Sequence, residues 1–426
     1  MAGADDERAI WASAGVPRPS FVGGNEVALL EGGDDLFPRM CAAIEAAERE
    51  VWLATYIFDD DGAGRRVADA LAAASARGIA VHVVVDGFGS LATLPRLRDW
   101  LSPSQVRLEV FRPLDRWYAW LQPGQLRRLH QKLCVVDQRT AYVGGINIID
   151  DRHDLRHGWA DRPRLDYAVE VRGPLAEQVH RTARAMWSRA NLGHVWRDEL
   201  RDVVRGPAPL DQGLDLLQRL RLRPKRPSSG NVRADPVRAA FVVRDNLRQR
   251  RAIERSYIDA IRRARTRVDI AVPYFYPGRQ FRRALRQAAR RGVRVRLLLQ
   301  GKFDYRIAAL AARALYDELR SHGVRIFEYT PAFLHAKVAV VDDDWATVGS
   351  SNIDPLSLLL NLEANVVVHD QGFAAALAAR LDGAIALSEE VQNVVQQRGW
   401  RSWLHRGFVA WCAGLYLRLA GITGRY

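Results

Sequence analysis

The chain has 426 residues, enough for two or three domains and a sizeable core. Its 48% hydrophobic and 26% charged residues are ordinary for a globular protein and exclude wholesale disorder. A formal charge of +14 favours polyanionic partners, whether nucleic acid, anionic lipid or a phosphorylated substrate. That surplus is almost wholly arginine, because the chain holds only four lysines, Lys132, Lys225, Lys302 and Lys337. Cys41, Cys134 and Cys412 stand far apart, which rules out a disulfide scaffold and a cysteine-rich zinc site and suits a reducing compartment.

In chain order, residues 1–10 are acidic without an apolar run, so no signal peptide is expected. The apolar, β-rich run from Trp52 to Phe58 predicts a strand, followed by a helix and then a second strand after Arg77-Gly78. Val106 to Phe111 predicts a third strand. After it, an insertion of about a dozen residues carries Trp117, Tyr118, Trp120 and Leu121. The insertion reads either as a packed loop or as a lipid-facing flap, since Trp and Tyr suit a membrane interface. Leu129 to Val136 alternates as a strand should. Residues 206–235, rich in Pro, Arg, Gly and Ser, read as a linker with one short amphipathic helix at 214–222.

Beyond the linker the pattern starts again. Arg77-Gly78 with its apolar run through Asp86-Gly87 returns as Arg291-Gly292 with its run through Gln300-Gly301. Val106 to Phe111 matches Val324 to Tyr329, and Leu129 to Asp137 matches Leu334 to Asp342. The chain is therefore read as an internal duplication, two pseudo-symmetric α/β sandwich repeats with mixed sheets. The expected divisions are 1–205, the linker 206–235, the second repeat 236–387, and a tail 388–426. In the tail Trp403, Leu404, Phe408, Trp411, Leu415 and Leu419 recur at helical spacing. Such a helix can lie in the headgroup layer or dock on the protein's own core. No stretch reaches the roughly 20 apolar residues of a spanning helix.

Both repeats spell His-x-Lys-x4-Asp, then a glycine seven residues later and an asparagine three beyond it. The sets are His130, Lys132, Asp137, Gly144, Asn147 and His335, Lys337, Asp342, Gly349, Asn352. Half of the lysines fall in this pattern. On a strand, His and Lys two apart share a face, whereas the Asp, seven from the His, does not. Parity thus makes each Asp a structural anchor more readily than a reactant. Brought together about a twofold axis, the two repeats would supply one imidazole to attack, one to shuttle a proton, and four donors for phosphate oxygens. No H-E-x-x-H, EF-hand, P-loop or G-x-G-x-x-G pattern is present, and no metal or cofactor is expected.

The doubled His-x-Lys-x4-Asp with trailing Gly-Gly-x-Asn or Gly-Ser-x-Asn resembles the phospholipase D superfamily. Tyr56-Ile57-Phe58, Arg244-Asp245-Asn246 and Pro273-Tyr274-Phe275-Tyr276-Pro277 look most like its bacterial cardiolipin synthases of the short form. The resemblance implies phospholipase D-like αβα repeats with the active site at their interface. It implies catalysis by His130, Lys132, Asp137, His335, Lys337 and Asp342 through a phosphatidyl-histidine, His130 being the nucleophile and His335 the acid and base. It further implies phosphate contacts from Asn147, Asn352 and Ser350, and acidic residues, Asp166 and Glu363, that orient the histidines. Gly145 stands where the second repeat has Ser350, which makes the contacts asymmetric. The implied partners are an anionic membrane and phosphatidylglycerol, with phosphatidylglycerol or phosphatidylethanolamine as donor, at the cytoplasmic face. No nucleic acid is expected. Hydrolysis to phosphatidic acid, a nuclease of the same superfamily and a vestigial membrane scaffold are the rival readings.

Overall fold

The computed structural model describes residues 19–114, 127–155, 158–205, 237–244, 251–301, 315–354 and 361–392, with backbone alone for 192–205. The aromatic insertion, the linker with its short helix, and the tail beyond 392 lie outside the described residues.

The two repeats share a single sheet of 15 strands. Its centre is the antiparallel contact between Val22–Glu31 and Val237–Arg244, where Val22 faces Ala239 and Asn25 faces Val237 across a register shift. Outward from this seam each half runs through the same sequence of strands. The first half continues through Tyr167–Arg172, Thr140–Gly144, Leu133–Val136, Glu50–Thr55, Ala80–Asp86 and Arg107–Phe111. The second continues through Glu363–His369, Trp345–Gly349, Val338–Val341, Arg267–Ala271, Arg294–Gln300 and Arg325–Tyr329. In each half the outer three strands are parallel to one another and the inner ones pair antiparallel. Parallel neighbours need a crossover, and the helices Gly62–Ala76 and Arg279–Arg290 supply it.

The repeated Arg-Gly pair closes these crossovers. Gly78 and Gly292 sit at φ +85° and +88° with open space where a side chain would be, so the backbone turn alone requires glycine. Arg77 donates back to the Ile44 carbonyl, and Arg291 to those of Ile261 and Ala264. The motif is thus a helix-ending device.

Apolar residues divide into three clusters according to sheet face. On one face each half keeps its own core, Val67, Leu71 and Val83 in the first, Ile261, Leu285 and Leu297 in the second. On the other face one cluster crosses the seam, from Trp52 and Val135 to Val340 and Val366, under the helices Pro174–Arg205 and Gln371–Ala386. The two expected α/β repeats with mixed sheets are present, joined by sheet continuity and a shared core. The second repeat also extends past its expected end at 387, since Glu389–Glu390 adds an antiparallel edge strand against Phe327 and Glu328.

Candidate active site

The regular strands begin later than alternation predicts, at Leu133 and Val338, because the residues before them turn to the other repeat. Leu129 bridges Leu362, and Leu334 bridges Leu165. The backbone N–H of His130 donates to the Leu362 carbonyl at 3.0 Å, and that of His335 to the Leu165 carbonyl at 2.9 Å. Each histidine is therefore fixed by main-chain bonds across the seam before its side chain is considered. From the sheet side, Asp86 accepts from the Leu129 N–H at 2.8 Å and Gln300 accepts from the Leu334 N–H at 2.9 Å. Asp86 and Gln300 occupy matching places in the duplication, which was the sequence signal for this pair of supports.

The side chains repeat the exchange. His130 Nδ1 lies 3.1 Å from Glu363 Oε2, and His335 Nδ1 lies 2.6 Å from Asp166 Oδ2. A carboxylate can only accept, so Nδ1 carries the proton in each pair and Nε2 is left for chemistry. Asp166 and Glu363 are buried, whereas the His130 and His335 side chains keep 14% and 25% of their surface open. Lys132 Nζ donates to the His130 carbonyl at 2.7 Å, and Lys337 Nζ donates to that of His335. The Tyr56 ring, part of a family-like motif but not among the expected site residues, lies 5.0 Å from the His130 ring and 5.4 Å from Lys132 Nζ.

These charges act on one another as a single cluster. Burial, then Lys337, pushes the His335 imidazole well below its ordinary pKa, against the pull of Asp166. Burial likewise lowers His130 against Glu363. Burial brings the Lys132 and Lys337 ammonium groups down to about 7 and about 8. The Asp166 and Glu363 carboxyls resist burial, which would raise them. Lys337 and His335 hold the first, and His130 with Lys132 holds the second, below the usual range. Lys132 is felt by both carboxylates and by Lys337, so groups from both repeats share one site. An anionic phosphate there would meet two histidines and two lysines and would favour the charged form of the lysines.

The remaining expected site residues fall differently. Asn147 Oδ1 accepts from the Ile57 N–H at 3.3 Å, while Asn352 Oδ1 is buried without a partner among the described residues. Ser350 does not face the site as a phosphate donor. It is fully buried, its Oγ donates to Glu363 Oε2 at 2.5 Å, and it accepts from the Ala364 N–H at 3.1 Å. In the first repeat a Cβ at Gly145 would stand 2.3 Å from Asp166 Oδ1, so the shorter Asp takes the space that Ser350 fills in the second. The asymmetry read from sequence therefore lies in how each carboxylate is held. Asp137 and Asp342 are not at the histidines. Asp137 accepts from the backbone N–H groups of Glu48, Arg49 and Glu50, and Asp342 from those of Arg265, Thr266 and Arg267. This bonding suits the anchor role that strand parity indicated.

Among the described residues one group has metal-ligand spacing, Asp59, Asp61 and His153, with ligand atoms within 4.8 Å of one another. Its atoms are engaged with the protein. His153 Nδ1 meets Asp59 at 2.7 Å, and Asp61 accepts from the Asp150 and Gly64 N–H groups. The group ties the loop after Asn147 to the segment after Phe58.

Comparison with known proteins gives a concordant result. A family profile described as "Cardiolipin synthase, PLD-like domain" matches residues 40–187 and 257–384. The chain is 36% identical over 379 residues to cardiolipin synthase B of Escherichia coli (strain K12), covering 88% of this chain and 85% of that one. It is 33% identical over 369 residues to cardiolipin synthase A of Pseudomonas fluorescens (strain SBW25), covering 87% and 70%. Phosphatidylserine synthase of Haemophilus influenzae Rd KW20 superposes with a TM-score of 0.65 at 13% identity over 98% of both chains, a likeness of fold alone.

Proposed function

The chain belongs to the cardiolipin synthase family of phospholipase D-like proteins, and from that premise we propose that it transfers a phosphatidyl group to phosphatidylglycerol to make cardiolipin. The reading rests above all on the reciprocal pairs, His130 with Glu363 and His335 with Asp166, each joining one repeat to the other.

With Nδ1 protonated against Glu363, His130 Nε2 has a lone pair and attacks the donor phosphorus. His335, protonated on both nitrogens once the phosphate anion is bound, gives its Nε2 proton to the departing headgroup oxygen. A phosphorus–nitrogen bond has formed, the phosphorus–oxygen bond has broken, and glycerol or ethanolamine leaves with its oxygen as a neutral hydroxyl. His335 then takes the proton from the phosphatidylglycerol hydroxyl as that oxygen displaces His130, restoring both rings. Lys132, Lys337 and the side-chain amides of Asn147 and Asn352 are the groups assigned to the nonbridging oxygens. The lysines' charge counts most when negative charge gathers in the transition state. The proposed setting is peripheral, on an anionic membrane. No described helix is long and apolar enough to cross one.

The test is mass spectrometry of the products from purified enzyme and headgroup-labelled phosphatidylglycerol, with and without phosphatidylethanolamine. Cardiolipin with free glycerol from phosphatidylglycerol alone is the expected result. Ethanolamine release would identify the second donor, and phosphatidic acid without cardiolipin would make the enzyme a hydrolase. His130→Ala and His335→Ala should each abolish transfer. Removing Lys132 or Lys337 should cost about 3 kcal/mol, on the order of a hundredfold in rate. Near-normal synthesis by the His130→Ala protein would overturn the proposal.

A further inference from the structure

Five large apolar side chains are exposed among the described residues: Phe88, Leu91, Leu155, Trp159 and Leu387. Four of them stand on two loops of the first repeat, and both loops clasp the segment Tyr56 to Asp61 that runs past His130. From one side, Ser90 Oγ donates to the Tyr56 carbonyl and accepts from the Phe58 N–H, while Thr93 Oγ1 donates to the Phe58 carbonyl. From the other, His153 meets Asp59, and Asp61 accepts from the Asp150 N–H. The second loop forms a short hairpin, His153–Asp154 against Gly158–Trp159. Its base is held by Arg164, which donates to the His153 carbonyl at 2.9 Å. Trp159 stacks on His153 at 5.1 Å and is still 66% exposed, and Leu155 is 52% exposed. The described residues around them are thus tied to the segment after Phe58 by hydrogen bonds through His153 and Asp150.

We infer that these two loops form the surface by which the enzyme enters an anionic bilayer, Trp159 and Leu155 inserting beside Phe88 and Leu91 at the rim of the catalytic site. The inference builds on the lipid-transfer reading above and gives that site its contact with the membrane. Trp is the side chain best suited to the headgroup boundary, with an apolar body and one N–H donor. Arginines flank both prongs. Arg152 and Arg162 are exposed beside the hairpin, and Arg96 and Arg98 are exposed after the other loop, where Asp60, Asp99 and Asp161 are the nearby exposed acids. With the chain's net +14 charge, that rim complements an anionic leaflet. Prongs on two separate loops suit a fluid layer that closes around them. A protein partner would need one continuous patch. Leu387, at the end of the helix Gln371–Ala386, belongs to neither loop and supplies a built-in comparison.

The experiment measures cosedimentation of the full chain with vesicles of phosphatidylglycerol and phosphatidylcholine. It is paired with turnover of short-chain phosphatidylglycerol dispersed below its aggregation threshold. The Leu155→Ser/Trp159→Ser protein should bind vesicles about tenfold more weakly or worse, as expected for two lost apolar insertions. It should turn over the dispersed substrate within about twofold of wild type. Leu155→Ser alone, which leaves the His153–Trp159 stack intact, should lose about threefold in vesicle affinity. Leu387→Ser should lose none. Unchanged vesicle affinity in the double and single variants, or an equal loss in Leu387→Ser, overturns the inference and leaves the prongs to a protein partner. Wild type that binds vesicles but makes no cardiolipin in either format would instead sink the transferase reading while leaving the membrane surface standing.

Discussion

Two carboxylates buried away from water would each cost several kcal/mol unless paired, and Asp166 and Glu363 are each paired with a histidine of the opposite repeat. Such pairs are poor devices for stability and good ones for fixing a tautomer. Glu363→Gln keeps the shape but can present its amide N–H to His130. It is expected to reduce kcat by about a hundredfold or more with little change in melting temperature. Ser350→Ala removes one hydrogen bond to that carboxylate and should cost about 1 kcal/mol, near fivefold in kcat. A fall in phosphate affinity with kcat unchanged would return Ser350 to the substrate-binding role its motif position implied. The pH profile follows from the shifted groups. His130 must be unprotonated to attack, and burial lowers its pKa, so the acid limb of kcat/KM lies below the ordinary histidine range. The lysines lose charge as pH rises through about 7 and about 8, so activity falls on that side. In Lys132→Arg, whose guanidinium stays charged, the basic limb should move up to that of Lys337 at about 8, at a reduced maximum. A basic limb unmoved by Lys132→Arg contradicts the assignment. At this scale the sequence exposed the histidines, lysines and asparagines through equal offsets in two copies. It could not expose the crossing of partners, because each carboxylate follows the histidine of its own repeat in the chain and only the seam decides which imidazole each one meets.

The elements carry a second pair of aspartates whose work is mechanical. Asp137 and Asp342 end their strands at φ +53° and +52° and take up three backbone N–H groups each at the start of the neighbouring strand. These amides hold both carboxyls below the usual range, against the effect of burial. The stabilisation is therefore present above the unfolded carboxylate pKa of about 3.9 and is lost as pH falls through the lower folded value. Asp137→Asn should lower stability at pH 7 by about 1.5–3 kcal/mol. In urea denaturation the gap from wild type should close at acid pH, and kcat below the melting range should stay within about threefold. A hundredfold loss of kcat in the folded variant would put this residue back in the chemistry. Odd parity from the histidine already set these aspartates off the face that carries the His and Lys. Alternation could not foresee that Leu129–Lys132 leaves the sheet ladder, because main-chain bonding across the seam has no period in the sequence.

For the whole molecule, the duplication was legible from the paired runs at Arg77 and Arg291, and the mixed sheet from strands alternating with helices. The union of the halves was not, since Val22–Glu31 and Val237–Arg244 read as ordinary strands whose pairing is settled only in space. One sheet and one core cluster across the seam predict a single unfolding event. Urea curves followed by near-ultraviolet dichroism and by residual activity should coincide. A folded intermediate that has lost activity would mean that the halves part before they unfold.

The central claim is that imidazoles from the two halves act on one phosphorus, His130 taking the phosphatidyl group and His335 moving the proton. Its most direct measurement is alkaline quenching during steady-state turnover of labelled phosphatidylglycerol, followed by peptide mapping, since phosphohistidine survives base. The account predicts label on the peptide carrying His130 and none in the His130→Ala protein. Label on another residue, or rapid turnover with no covalent label at all, would contradict it.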